Sequence, residues 1–206
     1  EIHHRVKNNL QTISSLLQLQ SRRTDSAQAR AAISESVRRI QSIAVVHETL
    51  SREAGDEVAF TEILRPLVQM VAAAVSSPDR QIDFEVRGEA GTLPAEVATP
   101  MAVVLTELLQ NTADHAFPAE APIDAHYRVV IELAEGADEF IIRVVDNGIG
   151  VPPDFSVEKA TGLGLSIVRA LVTSDLRGTI DVFGPPDGSP GTIVELHVPT
   201  DVPVTV

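Results

Sequence analysis

Glu107, Asn111 and His115 stand four positions apart on a predicted helix and share one face of it, because each residue turns by about 100°. A carboxylate, an amide and an imidazole on an otherwise apolar helix must be satisfied locally or face a cleft. Glu107 suits positioning or deprotonating an attacking group. The amide oxygen of Asn111 suits a hard cation such as Mg2+, which completes its shell with phosphate oxygens and water. A phosphate-binding element is therefore expected elsewhere, and two stretches qualify. Asp146-Asn-Gly-Ile-Gly-Val-Pro152 follows the apolar run Phe140 to Val145, which places Asp146 at a strand end before a glycine turn. Gly162-Leu-Gly-Leu-Ser-Ile-Val168 is a glycine turn opening a helix, where free N–H groups and the helix dipole favour an anion. Singly, each stretch also fits a structural role.

Together, in this order and spacing, the three stretches resemble the N, G1 and G2 boxes of the Bergerat-type ATP-binding fold shared by gyrase, heat-shock chaperones, histidine kinases and MutL. Gly191-Thr192, at the head of the last predicted strand, resembles a fourth box whose hydroxyl helps bind adenine. The resemblance covers about residues 60 to 199. It implies that Asp146 binds adenine with Gly148, Gly150 and Thr192, and that Asn111 coordinates Mg2+ bridging the phosphates of ATP. It also implies that His115, Gly162, Gly164 and Leu165 surround the phosphates, and that the segment from Gly150 to Gly162 is a short lid. The Lys that many relatives carry just before the His115 position is Asp114 here, which removes a phosphate contact and adds a negative charge.

The first helix opens with Glu1-Ile-His-His-Arg-Val-Lys-Asn-Asn-Leu-Gln11. This resembles the phosphoacceptor box of sensor histidine kinases of the His-Arg-Val-Lys-Asn class, sister to the HWE kinases, although the Trp-x-Glu of HWE kinases proper is absent. The motif places the acceptor directly before Arg-Val-Lys-Asn, at His4, with Asn8 one turn later on the same face. Helix geometry agrees: against a core stripe of Val6, Leu10, Ile13 and Leu17, His3 falls roughly 50° and His4 roughly 150° from the centre, so His4 is expected to face solvent. Most histidine kinases have an acid after the acceptor. Arg5 stands there instead, which leaves the general base unassigned within this helix.

These residues need particular elements to hold them. Apolar residues at helical spacing predict helices over 1–22 and about 27–51, joined by Arg22-Arg-Thr-Asp-Ser26 with Asp25 or Ser26 as N-cap. The pair should form an antiparallel hairpin whose seam is covered by a second copy, giving a homodimer, or by the rest of the chain. Polar residues 51–58, broken by Gly55, suggest a boundary, with a hairpin for dimerization and histidine phosphotransfer in 1–54 and an ATP-binding domain in 55–206. Beyond it, helices are expected at 61–75, 96–116 and 163–175, the first admitting Pro66 only near its first turn. Strands are expected at 81–86, 127–133, 140–145, 178–183 and 192–198. The fold class is α+β: the hairpin, then an α/β sandwich with a mixed sheet covered by helices on one face.

Composition sets the outer limits. The 206 residues are 44% apolar, enough for a real core. No apolar run approaches the roughly 18 residues of a membrane span, so no membrane contact by this stretch is expected. Zero cysteines exclude disulfides and fit the cytoplasm. A net charge of −13 argues against nucleic acid as a primary partner. Residues 1–39 carry seven Lys/Arg against three acids, +4, leaving −17 for the remainder, so the hairpin is electrostatically distinct and suits an acidic receiver domain of a response regulator. Glu1 is no initiator, and the chain reads as a fragment with a sensory domain expected upstream. The expected activity is Mg-ATP-dependent autophosphorylation of a histidine, then transfer to a regulator aspartate. A GHKL ATPase, a serine kinase and a non-catalytic scaffold are the alternatives.

Overall fold

The structure, a computed structural model, describes residues 2–52, 57–75, 81–89, 91–117, 126–152, 155–160 and 162–200. The chain opens with two long helices, α1 (Ile2–Arg23) and α2 (Ala27–Arg52), packed antiparallel. Ser26 is the cap: its hydroxyl accepts from the Ala29 N–H at 3.2 Å. Arg30 reaches back to the Thr24 carbonyl at 2.6 Å and fixes the turn.

The expected seam of α1 needs correction. Val6, Leu10 and Leu17 are half-buried, but Ile13 is 45% exposed and lies outside the seam, while Leu16 and Leu19 are 58% and 53% exposed. Ser14 is buried in Ile13's place, since α2 meets α1 rotated by about one residue from the predicted stripe.

After the hairpin come β1 (Glu57–Ala59), α3 (Phe60–Val75), β2 (Ile82–Gly88), β3 (Thr92–Pro94) and α4 (Ala95–His115). Next are β4 (Tyr127–Glu135), β5 (Glu139–Asp146), a 3-10 turn (Val157–Lys159) and α5 (Leu163–Ala170). A π-helical turn (Leu171–Asp175), β6 (Thr179–Phe183) and β7 (Thr192–Pro199) complete the chain. Five strands form one mixed sheet in the order β2-β4-β5-β7-β6, with β2 parallel to β4 and every other pair antiparallel. The strands alternate as half-buried strands must: Val129, Ile131 and Leu133, then Phe140, Ile142 and Val144, then Val194, Leu196 and Val198 point into the core. They meet Leu64 and Val71 of α3, Leu105 and Leu109 of α4 and Val168 of α5, so the helices cover one face of the sheet.

Three sequence expectations shift. Pro66 lies in the second turn of α3, one turn deeper than allowed for, in a helix held by the buried Ile63, Leu64, Leu67 and Val68. The second motif's helix does not run regularly to 175, because the α-helix ends at Ala170 and widens into the π-helical turn. The polar stretch 51–58 hides a strand: Val58 is fully buried and pairs with Leu93, giving a two-stranded antiparallel ribbon of β1 and β3. The expected boundary at residues 54 and 55 lies outside the described residues. On either side of it, Val46 and Leu50 of α2 pack in one cluster with Val58, Ile63, Leu67, Ala98 and Ala102, so the base of the hairpin is seated on α3 and α4.

Candidate functional site

The site begins where β5 ends. Asp146 is 5% exposed, and its Oδ1 accepts from the Gly148 N–H at 2.8 Å and the Thr192 N–H at 3.2 Å. Burial pushes the Asp146 carboxyl above the usual carboxylate range, while the Gly148 and Thr192 hydrogen bonds pull the other way. A buried carboxylate braced on one oxygen by the backbone is preorganised to accept from a ligand donor. Asn147 fixes the turn that follows: its Oδ1 accepts from the Arg128 N–H at 2.8 Å and its Nδ2 donates to the His126 carbonyl at 2.7 Å.

Gly148 serves a different end from the one expected. A Cβ there would stand 2.3 Å from the Ala116 carbonyl oxygen, which also accepts from the Ile149 N–H at 2.9 Å. Gly148 thus lets the turn dock on the end of α4, and it is not among the residues lining the cavity below. Gly150, at φ +78°, does line it.

A cavity of about 400 Å³ extends from this turn along α4. It is bounded by Glu107, Asn111 and His115 of α4, by Asp146, Gly150 and Thr192 at the strand ends, and by Gly162, Gly164 and Leu165 at the head of α5. Nine of the residues singled out in the sequence therefore surround one space, of a size that suits a small organic ligand. The two ends are separated along α4: Ala116 touches the Asp146 turn, and Glu107 lies nine residues before it, roughly 13 Å away at 1.5 Å per residue. At the Glu107 end the walls are close. A Cβ on Gly164 would come within 2.6 Å of Glu107 Oε2 and within 3.8 Å of the Asn111 amide, so a side chain there would displace the Glu107 carboxylate. His115 and Asp114 are exposed at the rim, and Asp114 accepts from the Gln110 side chain at 2.9 Å. Phe155 is half-buried against the cavity, and its N–H donates to the Pro152 carbonyl at 2.9 Å, so this side of the expected lid is packed. Pro153 and Asp154 lie outside the described residues.

Asn111 bears on the metal. Its Nδ2 is buried and has no hydrogen-bond partner among the described residues, which is the state of an amide whose partner is a ligand. Among those residues no group of three His, Cys, Asp or Glu converges to hold a metal ion. A free Nδ2 can donate to an acceptor such as a ligand oxygen, whereas a cation here would need the Asn111 Oδ1 together with oxygens of the ligand.

Two expected residues are not brought here. Among the described residues no part of α1 lines the cavity. Asn8 is exposed on α1, and the His4 side chain lies outside the described residues. Lys7 pairs with Glu48 at 2.8 Å, which sets the register of the hairpin. In that register His4 stands about a dozen residues, roughly 18 Å, along the axis from the level at which α2 meets the cavity. Sequence reasoning missed the residues at that level, Glu35, Arg38 and Arg39. Arg39 donates to Glu107 through Nε at 2.7 Å and a second nitrogen at 3.1 Å, and to Glu35 at 3.4 Å. Burial works against its charge, but the hydrogen bonds and charges of Glu107 and Glu35 together outweigh it and raise the Arg39 pKa. No local signal marks this contact, because its partners are 68 residues apart.

A mixed sheet with one helical layer, a strand-end carboxylate and a glycine-headed helix facing a polar helix define the class: a nucleotide-binding α/β sandwich of the ATPase type joined to a helical hairpin. Comparison with known proteins agrees for both parts. The model of the histidine kinase-, DNA gyrase B- and HSP90-like ATPase family matches residues 96–202, and a histidine kinase family model matches residues 1–75. The chain belongs to this ATPase family, in its histidine kinase branch. The sensor histidine kinase PdtaS of Mycolicibacterium smegmatis is 44% identical over 97% of this chain and 39% of its own length. Blue-light-activated histidine kinase 2 of Erythrobacter litoralis is 28% identical over 97% of this chain and 56% of its own length. The chain thus spans only about two fifths to just over half of these relatives. Among solved structures, the histidine kinase domain of a blue-light-activated kinase from Erythrobacter litoralis superposes with a TM-score of 0.69 at 25% identity, covering 97% of this chain and 92% of that one. Among the described residues no helix is long and apolar enough to cross a membrane.

Proposed function

We propose that this chain is the core of a two-component sensor histidine kinase, which binds Mg-ATP in the 400 Å³ cavity and transfers the γ-phosphoryl group to His4. The observation that carries the reading is the joining of the braced Asp146–Thr192 corner to the Glu107–Asn111–Gly164 corner in one cavity, on a chain that begins with a His-Arg-Val-Lys-Asn helix. The second oxygen of Asp146 accepts from the adenine amino group. The triphosphate runs along α4 towards Gly162, Gly164 and Leu165, where the N–H groups of the first turn of α5 face it. Asn111 would give the protein ligand to Mg2+, which when bound would neutralise charge on the phosphate oxygens. His115 stands beside the phosphates at the rim.

In the transfer, an imidazole nitrogen of His4 attacks the γ-phosphorus in line, the bond to the bridging oxygen breaks, and ADP leaves with that electron pair. Glu107 is suited to orient the imidazole. Asn8, one turn beyond His4, is suited to position water or the regulator. A receiver aspartate then takes the phosphoryl group from the phosphohistidine. The 18 Å offset of His4 from the cavity means that transfer requires either a shift of the ATP-binding part along the hairpin or the cavity of a second copy. The exposed Ile13, Leu16 and Leu19 favour a dimer through residues 1–54, since a second hairpin covers them. The basic hairpin favours an acidic receiver. A cytoplasmic location suits a partner of that kind.

Incubation with γ-labelled ATP and Mg2+, followed by acid treatment, tests the reading. Acid-labile, base-stable label on the protein is expected. Acid-stable label would make the chain a serine kinase, and phosphate release without label would make it an ATPase only.

A further inference from the structure

The Glu107 end of the cavity is poor in positive charge for a site that holds a polyphosphate. Its lining includes Glu35 and Glu107, with Asp114 and Asp146 towards the other end. Among the described lining residues the one Lys or Arg is Arg38, contributed by α2 of the hairpin. Arg39, next to it, is occupied by Glu107 and Glu35. Arg38 is half-buried and makes no hydrogen bond or ion pair among the described residues.

We propose that Arg38 binds the terminal phosphate of the nucleotide, a phosphate contact supplied across the cleft by the hairpin. The inference rests on the nucleotide reading above and adds a residue and a consequence to it. Position assigns the phosphate. The α2 wall meets the cavity where Arg39 clasps Glu107, which is also where the head of α5 closes on Glu107 at Gly164, and about 13 Å along α4 from the adenine corner at Asp146. A guanidinium at that end is placed for the last phosphate, and its planar fork suits two oxygens of one phosphate. Glu35, one turn before Arg38 on the same wall, repels an anion that Arg38 does not neutralise. The consequence is that ATP adds a link between the two parts of the chain through Arg38, whereas ADP, lacking that phosphate, leaves them joined by Arg39–Glu107 and by the packing of Val46 and Leu50 on α3 and α4.

The test compares Mg-ATP, Mg-ADP and adenosine binding by calorimetry to the whole chain, as wild type, Arg38→Gln and Arg38→Lys. Loss of a charge-assisted contact predicts that Arg38→Gln binds Mg-ATP about ten- to hundredfold more weakly, with Mg-ADP and adenosine within about twofold of wild type and Arg38→Lys in between. ATP affinity unchanged in Arg38→Gln overturns the proposal. Equal losses for ATP and adenosine also overturn it, because they describe a structural role. A wild type that binds no ATP would instead sink the nucleotide reading, a result separable from either.

Discussion

Arg39 of the hairpin and Glu107 of α4 form a two-bonded ion pair, at 2.7 and 3.1 Å, with both side chains at most 15% exposed. This pair ties the hairpin to α4 at the end of the cavity where the head of α5 approaches Glu107. Removing one partner leaves a buried charge unsatisfied, which costs more than the pair itself contributes. Arg39→Gln should destabilise the protein by about 1–3 kcal/mol, and Glu107→Gln by a similar amount. The double variant should lose less than the sum. Urea unfolding of the four proteins gives the coupling; strict additivity would show that the pair carries no interaction energy.

Asp146→Asn should bind ATP at least about tenfold more weakly while keeping its fold, because an amide oxygen can still accept the Gly148 and Thr192 N–H bonds, whereas its NH2 opposes an adenine amino donor. Stability adds a sign. Burial raises the folded pKa of Asp146 above its unfolded value, so stability is highest below the unfolded pKa and falls as pH rises through the folded one. At neutral pH the variant should therefore melt at or above the wild-type temperature without nucleotide. Full ATP affinity in the variant would remove Asp146 from the adenine site.

Asn111→Ala should weaken Mg-ATP binding more than binding of metal-free ATP, as loss of a metal ligand requires. Titration with and without a chelator reads the difference. Equal losses would assign Asn111 to the phosphates and not to the cation.

A separate pH effect belongs to the open face of the sheet. His197 Nδ1 lies 3.1 Å from Glu139, and its Nε2 lies 3.0 Å from Glu195, which also pairs with Arg143. The Glu195 hydrogen bond chiefly, with Glu139 adding to it against some burial, raises the His197 pKa. A raised histidine contributes stability that is complete below the unfolded pKa and is lost as pH rises through the folded value. Melting temperature should thus decline as pH rises past the ordinary histidine range, and His197→Gln should flatten the decline. An unchanged slope in the variant would place the titration elsewhere.

The motif residues were legible because each box is local: Asp146 closes an apolar strand, Gly162 to Leu165 open a helix, and Glu107, Asn111 and His115 recur at one helical face. The strands of the five-stranded sheet were legible for the same reason, through alternation such as Val129, Ile131 and Leu133. The parts that were not legible depend on contacts distant in sequence. Arg38 and Arg39 read as ordinary surface residues of an amphipathic helix until α2 is laid against α4. Val58 reads as one apolar residue in a polar linker until β3 pairs with it. Ile13 fits the α1 stripe by spacing, yet the angle at which α2 packs leaves it outside. Gly148 looked like a concession to a ligand and is instead required by the carbonyl of Ala116.

The measurement that bears most directly on the central claim is autophosphorylation with γ-labelled ATP in wild type, His4→Gln and His3→Gln. The account predicts acid-labile label on the wild type, its loss in His4→Gln with ATP binding intact, and most of it retained in His3→Gln. Label that survives in His4→Gln and vanishes in His3→Gln would contradict the assignment of the acceptor, and absence of acid-labile label from a wild type that binds ATP would contradict the kinase itself.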